Sequence, residues 1–261
     1  MMEYNPYEMI VYTGSRILED RKVVFVGTGL PLVAAMHAQL THAPNLLMIY
    51  EAGSLAPILE LGLPFSVGDT RACIKACYLK GLCGAFELAQ RGYADYGFIG
   101  GAQIDMHGNV NSTLSGYDYL KPRIRFLGSG GAGDMAASCE KLIIIMPLEK
   151  RRFVEKVDFL TSIGYGDGSI EYRKKAGVKG CGPYRVITDQ AVFGFDEETR
   201  RMMLLEVAPD LSPNGIQEKV GFELLIPEGV KRMEEPKAED LRLLREVIDP
   251  KGYLLGRRIK Q

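Results

Sequence analysis

The feature that most constrains the fold is a long stretch, residues 23–50, that contains no Asp, Glu, Lys or Arg. A membrane span is a poor explanation, because glycine, proline, histidine and amide residues interrupt the stretch too often. The interruptions separate two apolar runs, at 22–27 and 45–50, from a run with helical spacing at 31–40. We therefore predict a buried strand–helix–strand unit and no membrane association.

Similar apolar runs and helical runs alternate along much of the chain. Further strands are predicted at 96–100, 123–128, 141–148, 156–162 and 184–189, with a strand pair over 195–207. Helical spacing is found over 69–92, with a candidate break at 81–84, near 134–140 and over 237–249. Because the strands are apolar throughout, the sequence predicts an α/β fold with a mostly parallel open sheet covered by helices.

Composition limits the class of protein further. No linker or repeat divides the sequence, so we expect a single domain over 1–261 with a more polar C-terminal extension from about 195. The net charge of -1 and the lack of a basic stripe argue against nucleic-acid binding. Five cysteines without a CxxC pair, and an N-terminus unlike a signal peptide, indicate a cytoplasmic protein. Three histidines and unsuitably spaced cysteines predict no metal site.

A dinucleotide-binding fold is the first alternative, because two glycine motifs partly match it. Residues 27–29 (GTG) follow a strand, and Glu51 ends the next strand where a ribose-binding acid would lie, but Leu32 occupies the third glycine position. Residues 128–133 (GSGGAG) match the full motif, yet the predicted helix that follows is only about two turns long. Each match therefore lacks one structural condition.

Glu51 is the main candidate for chemistry. It lies at the predicted C-terminal end of a buried strand, which is where open α/β sheets place their ligands. Small neighbours, Ala52, Gly53 and Ser54, would leave the carboxylate accessible, and its uncharged surroundings would favour a nucleophile. A solvated or ion-paired strand-end glutamate is the alternative from the residues alone.

Two loops supply further candidate groups. The glycine-rich loop 128–133 precedes Asp134, a good helix cap, and could present backbone N–H groups to a phosphate or an oxyanion. Residues 100–113 place Gln103, Asp105 and His107 just past a buried strand, which suits a ligand-facing or subunit-facing loop. Turn chemistry of the Asx type would explain part of this second cluster without any function.

Three ordered motifs carry a family resemblance: YEAG (50–53), GGAQIDMHGNVNST (100–113) and GSGGAGD (128–134). In this order they resemble the B-type chains of family I coenzyme A transferases, especially the glutaconate-type members. The similarity continues through 156–168, 180–196 and 204–224, and so covers most of the chain. The resemblance implies the CoA-transferase (NagB/RpiA-like) fold.

The resemblance also implies site residues. Glu51 would attack an acyl-CoA thioester to give an acyl-glutamyl anhydride, which CoA thiolate converts into a glutamyl-CoA thioester. CoA is then a substrate, and no permanently bound cofactor is expected. Backbone donors would come from the loop, and Gln103 would add a side-chain donor; the loop residues are Gly130, Gly131, Ala132 and Gly133. Ala52 stands where the glutaconate-type members are expected to have Ser, which could alter a hydrogen bond or the accepted substrate.

A partner is implied as well, because the family pairs a chain of this type with a homologous A-type subunit and forms the active site between them. Residues 23–50 and 100–113 are the expected partner surfaces. Two alternatives remain: an acyl-CoA hydrolase or decarboxylase on the same scaffold, and a non-catalytic CoA- or nucleotide-binding subunit. A glutaconate-like acyl group would be dicarboxylic, and four cations are candidates for its distal carboxylate: Arg71, Lys121, Arg123 and Arg125.

Overall fold

A computed structural model describes residues 3–59 and 62–256, which divide into two compact units. The first unit comprises the residues up to Phe98 and those from Glu234 onward, and the second comprises Ile99–Met233. These units are groups of residues in mutual contact, and such a grouping does not by itself define folding domains. The prediction of a single domain with a polar C-terminal extension therefore stays a prediction.

The first unit alternates helices and strands from its N-terminus. Its elements are α1 (Pro6–Arg16), β1 (Val23–Val26), α2 (Leu30–Leu40), β2 (Leu47–Tyr50), β3 (Ser54–Leu55), a 3₁₀ turn (Thr70–Cys73), β4 (Tyr78–Leu79), α3 (Gly81–Gln90) and β5 (Tyr96–Gly100), within which the unit boundary falls. The strand order is β5-β1-β2-β3-β4. β1 pairs in parallel with β2 and β5, whereas β3 is antiparallel to both β2 and β4.

The uncharged stretch folds into β1, α2 and β2, as predicted. Gly29 precedes α2 with φ +100°, and proline in the first turn has the backbone angle that a helix start requires. Most of the three elements is buried, with Leu40 and Leu47 as exposed exceptions. The prediction of a partner surface is therefore wrong for the buried residues of the stretch, because they form the core, and it stays a prediction for the exposed ones, which lie mainly between α2 and β2.

The predicted helix over 69–92 is wrong in its first half. Lys75 has φ +51°, which reverses the chain, and the following residues add the edge strand β4 beside β3. Only α3 is helical, and it begins at Gly81 instead of breaking there.

The second unit contains a mixed sheet and two small hairpins. Its elements are β6 (Gln103–Ile104), β7 (Val110–Asn111), β8 (Leu114–Ser115), β9 (Ile124–Arg125), α4 (Ala132–Ser138), β10 (Lys141–Ile145), α5 (Tyr172–Lys175), β11 (Pro183–Ile187), β12 (Ala191–Phe195), β13 (Met202–Val207), α6 (Pro213–Gln217) and β14 (Lys231–Arg232). The order is β10-β11-β12-β13-β14. The outer pairs β10–β11 and β13–β14 are parallel, and β12 is antiparallel to its two neighbours.

Most predictions in this unit are confirmed, including the strands at 141–148 and 184–189. Of the strand pair predicted over 195–207, the second strand is β13, whereas the first, β12, lies earlier in the chain than predicted. The strand at 123–128 shrinks to the two residues of β9. The strand at 156–162 is wrong: the segment forms only a single bridge, between Val110 and Ser162. Earlier in the segment, Asp158 N–H donates to the Gln103 side chain at 3.1 Å instead of to a neighbouring strand.

The chain ends in the first unit, where α7 (Ala238–Arg242) continues as a π-helix (Leu243–Ile248). The helix predicted over 237–249 is thus confirmed in place, with an irregular second half. This segment is fastened to α1: Arg245 donates to Glu8 at 2.7 Å, and Asn5 donates to the Leu255 carbonyl at 2.9 Å. Asn5 and Glu8 also form a capping box at the start of α1, a signal that would have predicted this helix.

Both units combine parallel strand pairs with antiparallel ones, and both contain helices: α1, α2, α3 and α7 in the first unit and α4 to α6 in the second. This confirms the predicted α/β class. Within residues 3–59 and 62–256, no helix has the length and apolar character that a membrane crossing requires.

Candidate active site

Glu51 lies directly after β2, in the three-residue turn that connects β2 to β3. The turn is closed by Gly53 N–H, which donates to the Tyr50 carbonyl at 2.9 Å. Glu51 is half-buried, and no described residue donates a hydrogen bond to its carboxylate or forms an ion pair with it. Glu51 is thus a half-buried residue at a strand end, and its carboxylate has no partner among the described residues.

Gly53 fixes the shape of this turn. Its φ is +103°, a conformation that L side chains rarely adopt. A Cβ added here would lie only 2.2–2.3 Å from backbone atoms of Gly81, the first residue of α3. In addition, Lys80 N–H donates to the Gly53 carbonyl at 3.1 Å. The glycine two residues after Glu51 is therefore required by close backbone approach, which explains the E-x-G pattern.

The four cations expected to hold a distal carboxylate differ in availability. Arg71 is already bound to Asp69, with Nε to both carboxylate oxygens at 3.1 Å, and these hydrogen bonds hold the pKa of Asp69 well below its usual range. Arg125 donates to the Tyr119 carbonyl at 2.6 Å, and its guanidinium lies over the aromatic ring of Tyr119. Lys121 and Arg123 are exposed charges of the second unit. Lys80, beside the Glu51 turn, was not predicted.

The glycine-rich loop lies in the second unit. Gly128 and Gly130 have φ of +97° and +48°, so two of its glycines satisfy backbone conformations that favour glycine. The loop is anchored by Gly128 N–H, which donates to the Ser112 carbonyl at 2.9 Å. Among the described residues, the amides of Gly130 and Gly131 donate to no acceptor. The loop therefore retains free backbone donors.

Gln103 is held in one orientation by two donors. Its Oε1 accepts from Asn111 Nδ2 at 2.7 Å and from Asp158 N–H at 3.1 Å. A backbone N–H can only donate, so the accepting atom must be the oxygen, and Nε2 points elsewhere. Within the described part of the chain, Nε2 donates to nothing. Since Ser112 follows Asn111 and bonds to Gly128, the structure links Gln103 to the glycine loop.

The polar cluster after Gln103 is internal scaffolding. Asp105 is buried and accepts from the backbone of His107 and of Asn109, both at 3.0 Å, and burial raises its pKa. Asn109 in turn accepts from the backbone of Gly164 and Gly166. The predicted Asx-turn explanation of this cluster is therefore confirmed, and these residues have their partners inside the unit.

Arg173 is a buried residue of α5 that sequence reasoning missed. Its guanidinium donates to three carbonyls within 3.0 Å, those of Gly180, Gly164 and Ala136. No carboxylate among the described residues pairs with it, and burial lowers its pKa. Ala136 belongs to α4, so Arg173 fixes the helix that follows the glycine loop. The described residues contain no group of three or more His, Cys, Asp or Glu that could hold a metal ion.

Comparisons with known proteins agree with this arrangement. The family model for coenzyme A transferase matches residues 7–219. The chain is 39% identical to the B-type chain of glutaconate CoA-transferase from Acidaminococcus fermentans, with 96% of each chain covered. It is 35% identical to the B-type chain of 3-oxoadipate CoA-transferase from Pseudomonas knackmussii, with 94% of each covered.

Solved structures give the same result. The crystal structure of glutaconate coenzyme A-transferase from A. fermentans superimposes with a TM-score of 0.90 at 37% identity, covering 98% of both chains. The decarboxylase AibA/AibB superimposes with a TM-score of 0.80 at 28% identity, covering 98% of this chain and 100% of the other.

The chain therefore belongs to the coenzyme A transferase family. The prediction of a B-type CoA-transferase chain, in an enzyme class that uses CoA as a substrate, is confirmed. The relatives are named as B-type chains of their enzymes, which implies an A-type partner. Glu51 lies in the first unit, whereas Gln103 and the residues Gly130, Gly131, Ala132 and Gly133 lie in the second, and their catalytic roles stay predictions.

Proposed function

We propose that Glu51 is the covalent catalyst of CoA transfer. The observation that carries the proposal is its half-buried carboxylate, which has no partner among the described residues and stands on a turn that Gly53 fixes. The carboxylate oxygen attacks the thioester carbonyl of acyl-CoA, the C–S bond breaks, and an acyl-glutamyl anhydride and CoA thiolate result. The thiolate then attacks the glutamyl carbonyl and expels the first carboxylate, leaving glutamyl-CoA. An acceptor carboxylate reverses these steps.

The loop Gly130–Gly133 and Gln103 are proposed to stabilise the oxyanion or to bind CoA. Support comes from the free amides of Gly130 and Gly131 and from the fixed amide group of Gln103, which leaves Nε2 as a donor. Removing one such donor typically costs about 10²–10³ in rate. Energy stays in anhydride and thioester bonds, so the reaction requires neither ATP nor a permanently bound cofactor.

The working enzyme is proposed to be a hetero-oligomer with a homologous A-type subunit that completes the site, located in the cytoplasm. The names of the relatives support the partner, and five free cysteines suit a reducing compartment. Both transferase relatives are named for dicarboxylic acids, glutaconate and 3-oxoadipate. A dicarboxylic acyl-CoA is therefore the proposed substrate class.

The test uses the chain co-purified with its A-type partner, an acyl-CoA and acetate, with both thioesters followed over time. Borohydride added with acyl-CoA should reduce the glutamyl thioester, inactivate the enzyme and change the mass of the peptide that contains Glu51. The Glu51→Gln variant should lose transfer and resist borohydride. Transfer activity that persists in this variant, or a borohydride-dependent change of mass in another peptide, places the covalent chemistry elsewhere.

A decarboxylase or hydrolase is the second candidate, because the decarboxylase AibA/AibB shares this fold over nearly the whole chain. The same assay separates the functions. Loss of the starting thioester with release of free CoA identifies a hydrolase, and conversion into an acyl-CoA one carbon shorter with release of CO₂ identifies a decarboxylase. Either result without formation of acetyl-CoA rejects transfer.

A further inference from the structure

Lys80 is a cross-strand neighbour of the Glu51 turn. The register pairs Ser54 with Leu79, and one step further Lys80 N–H donates to the Gly53 carbonyl at 3.1 Å. Facing residues of antiparallel strands have Cα atoms about 5 Å apart. Two peptide units add at most about 7.6 Å. The Cα atoms of Glu51 and Lys80 therefore lie within roughly 13 Å of each other.

The stem of Lys80 lies against the first turn of α3. A Cβ added at Gly84 would lie 2.7 Å from Lys80 Cβ, 3.3 Å from Cγ and 3.4 Å from Cδ. The ammonium is 5.8 Å from the centre of the Tyr78 ring, a weak cation–π contact. Gly84 thus provides the space along which the side chain runs, while the residue as a whole is exposed.

The Lys80 charge is available to a ligand. No carboxylate of the described residues lies within ion-pair distance of its ammonium, in contrast to Arg71, which is neutralised by Asp69. A cation without a carboxylate partner, held beside the proposed nucleophile, is suited to bind an anionic group of the substrate.

We propose that Lys80 binds the distal carboxylate of a dicarboxylic acyl group whose other end is attached to Glu51. This inference rests on the proposed function and adds the residue that selects the substrate. A five- or six-carbon dicarboxylic chain, together with the Glu51 and Lys80 side chains, is long enough to bridge a Cα separation of at most about 13 Å. Charge-assisted hydrogen bonds of this kind change affinity about 10- to 100-fold.

The experiment compares Lys80→Met, which keeps the length of the stem, and Lys80→Arg, which keeps the charge. Both are made in the complex with the A-type partner and assayed with glutaryl-CoA and with butyryl-CoA, using acetate as acceptor. Lys80→Met should lower kcat/KM for glutaryl-CoA about 10- to 100-fold, mainly through KM, and leave butyryl-CoA within about twofold. Lys80→Arg should retain most of the preference. Arg91→Met, an exposed cation just past the other end of α3, should change neither substrate.

An equal loss with both acyl groups, or no loss with either, overturns the role of Lys80 in selection. Failure of the proposed function would be visible earlier, since the wild-type complex would then form no acetyl-CoA from either substrate. The two failures are therefore distinguishable.

Discussion

Gly53→Ala tests whether the contact between the Glu51 turn and α3 sets the position of the nucleophile. The new methyl would lie 2.2–2.3 Å from the Gly81 backbone, whereas ordinary contacts begin at 3.4 Å, so the two segments must separate by about 1 Å. Forcing φ near +103° on alanine costs about 1–2 kcal/mol, and overpacking adds about 1–3 kcal/mol. The expected loss of stability is about 2–5 kcal/mol.

Activity should fall as well, because a displacement of about 1 Å at a reacting group costs on the order of 10² in rate. The assays are urea unfolding of the chain and initial rates of thioester exchange in the complex. Gly92→Ala, with φ +84° and open space around it, isolates the cost of the backbone conformation. Gly68→Ala, which has neither constraint, should be close to neutral. A Gly53→Ala variant that matches Gly68→Ala in stability and rate would refute the close approach.

Two further predictions concern buried groups. Arg173→Met should destabilise the chain by about 2–4 kcal/mol, because it leaves buried carbonyls of the second unit without donors; urea unfolding checks this, with the exposed Arg151→Met as a near-neutral control. The unfolding free energy should also decrease as pH falls below about 6.5, because burial lowers the pKa of His37 and the unfolded chain then binds the extra proton. His37→Asn should flatten this dependence between pH 7 and 5, whereas the exposed His42→Asn should keep most of it, and an unchanged slope in His37→Asn would contradict the assignment.

The central strands could be predicted from sequence because they are apolar throughout. β1, β2 and β10 are apolar runs that are buried except at the first position of each, which suits a covered parallel sheet. Strand β13 and the helix after the glycine loop were also found from local patterns.

The errors arose where tertiary contacts override local spacing. Residues 69–80 have helical periodicity, but the chain reverses at Lys75 and then forms an edge strand. The residues beside Lys75 are not of the types that usually predict a turn. Residues 156–162 look like a strand, yet Asp158 N–H donates to the Gln103 side chain, and the Thr161 hydroxyl accepts from the backbone N–H of Ser112. Such pairings join residues about 50 positions apart, as between Asp158 and Gln103, and cannot be read from periodicity.

For the candidate site, sequence located Glu51 at a strand end and named Gln103 as a donor. Whether the Gln103 Nε2 group is available as a donor depends on which Gln103 atom accepts from Asn111 and Asp158, and only the structure shows this. Lys80 was missed because its relation to Glu51 arises from the pairing of β3 with β4. The resemblance to the family supplied the order of motifs but not this neighbour.

The fastening of the C-terminal segment onto α1 gives the two units different histories during synthesis. All residues of the second unit are contiguous, so they can leave the ribosome and fold together. The first unit contains residues that precede and follow the second unit in the sequence. The hydrogen bond from Asn5 to the Leu255 carbonyl can therefore form only after Leu255 has been synthesised. The turn that carries Glu51 therefore belongs to the unit that is completed last.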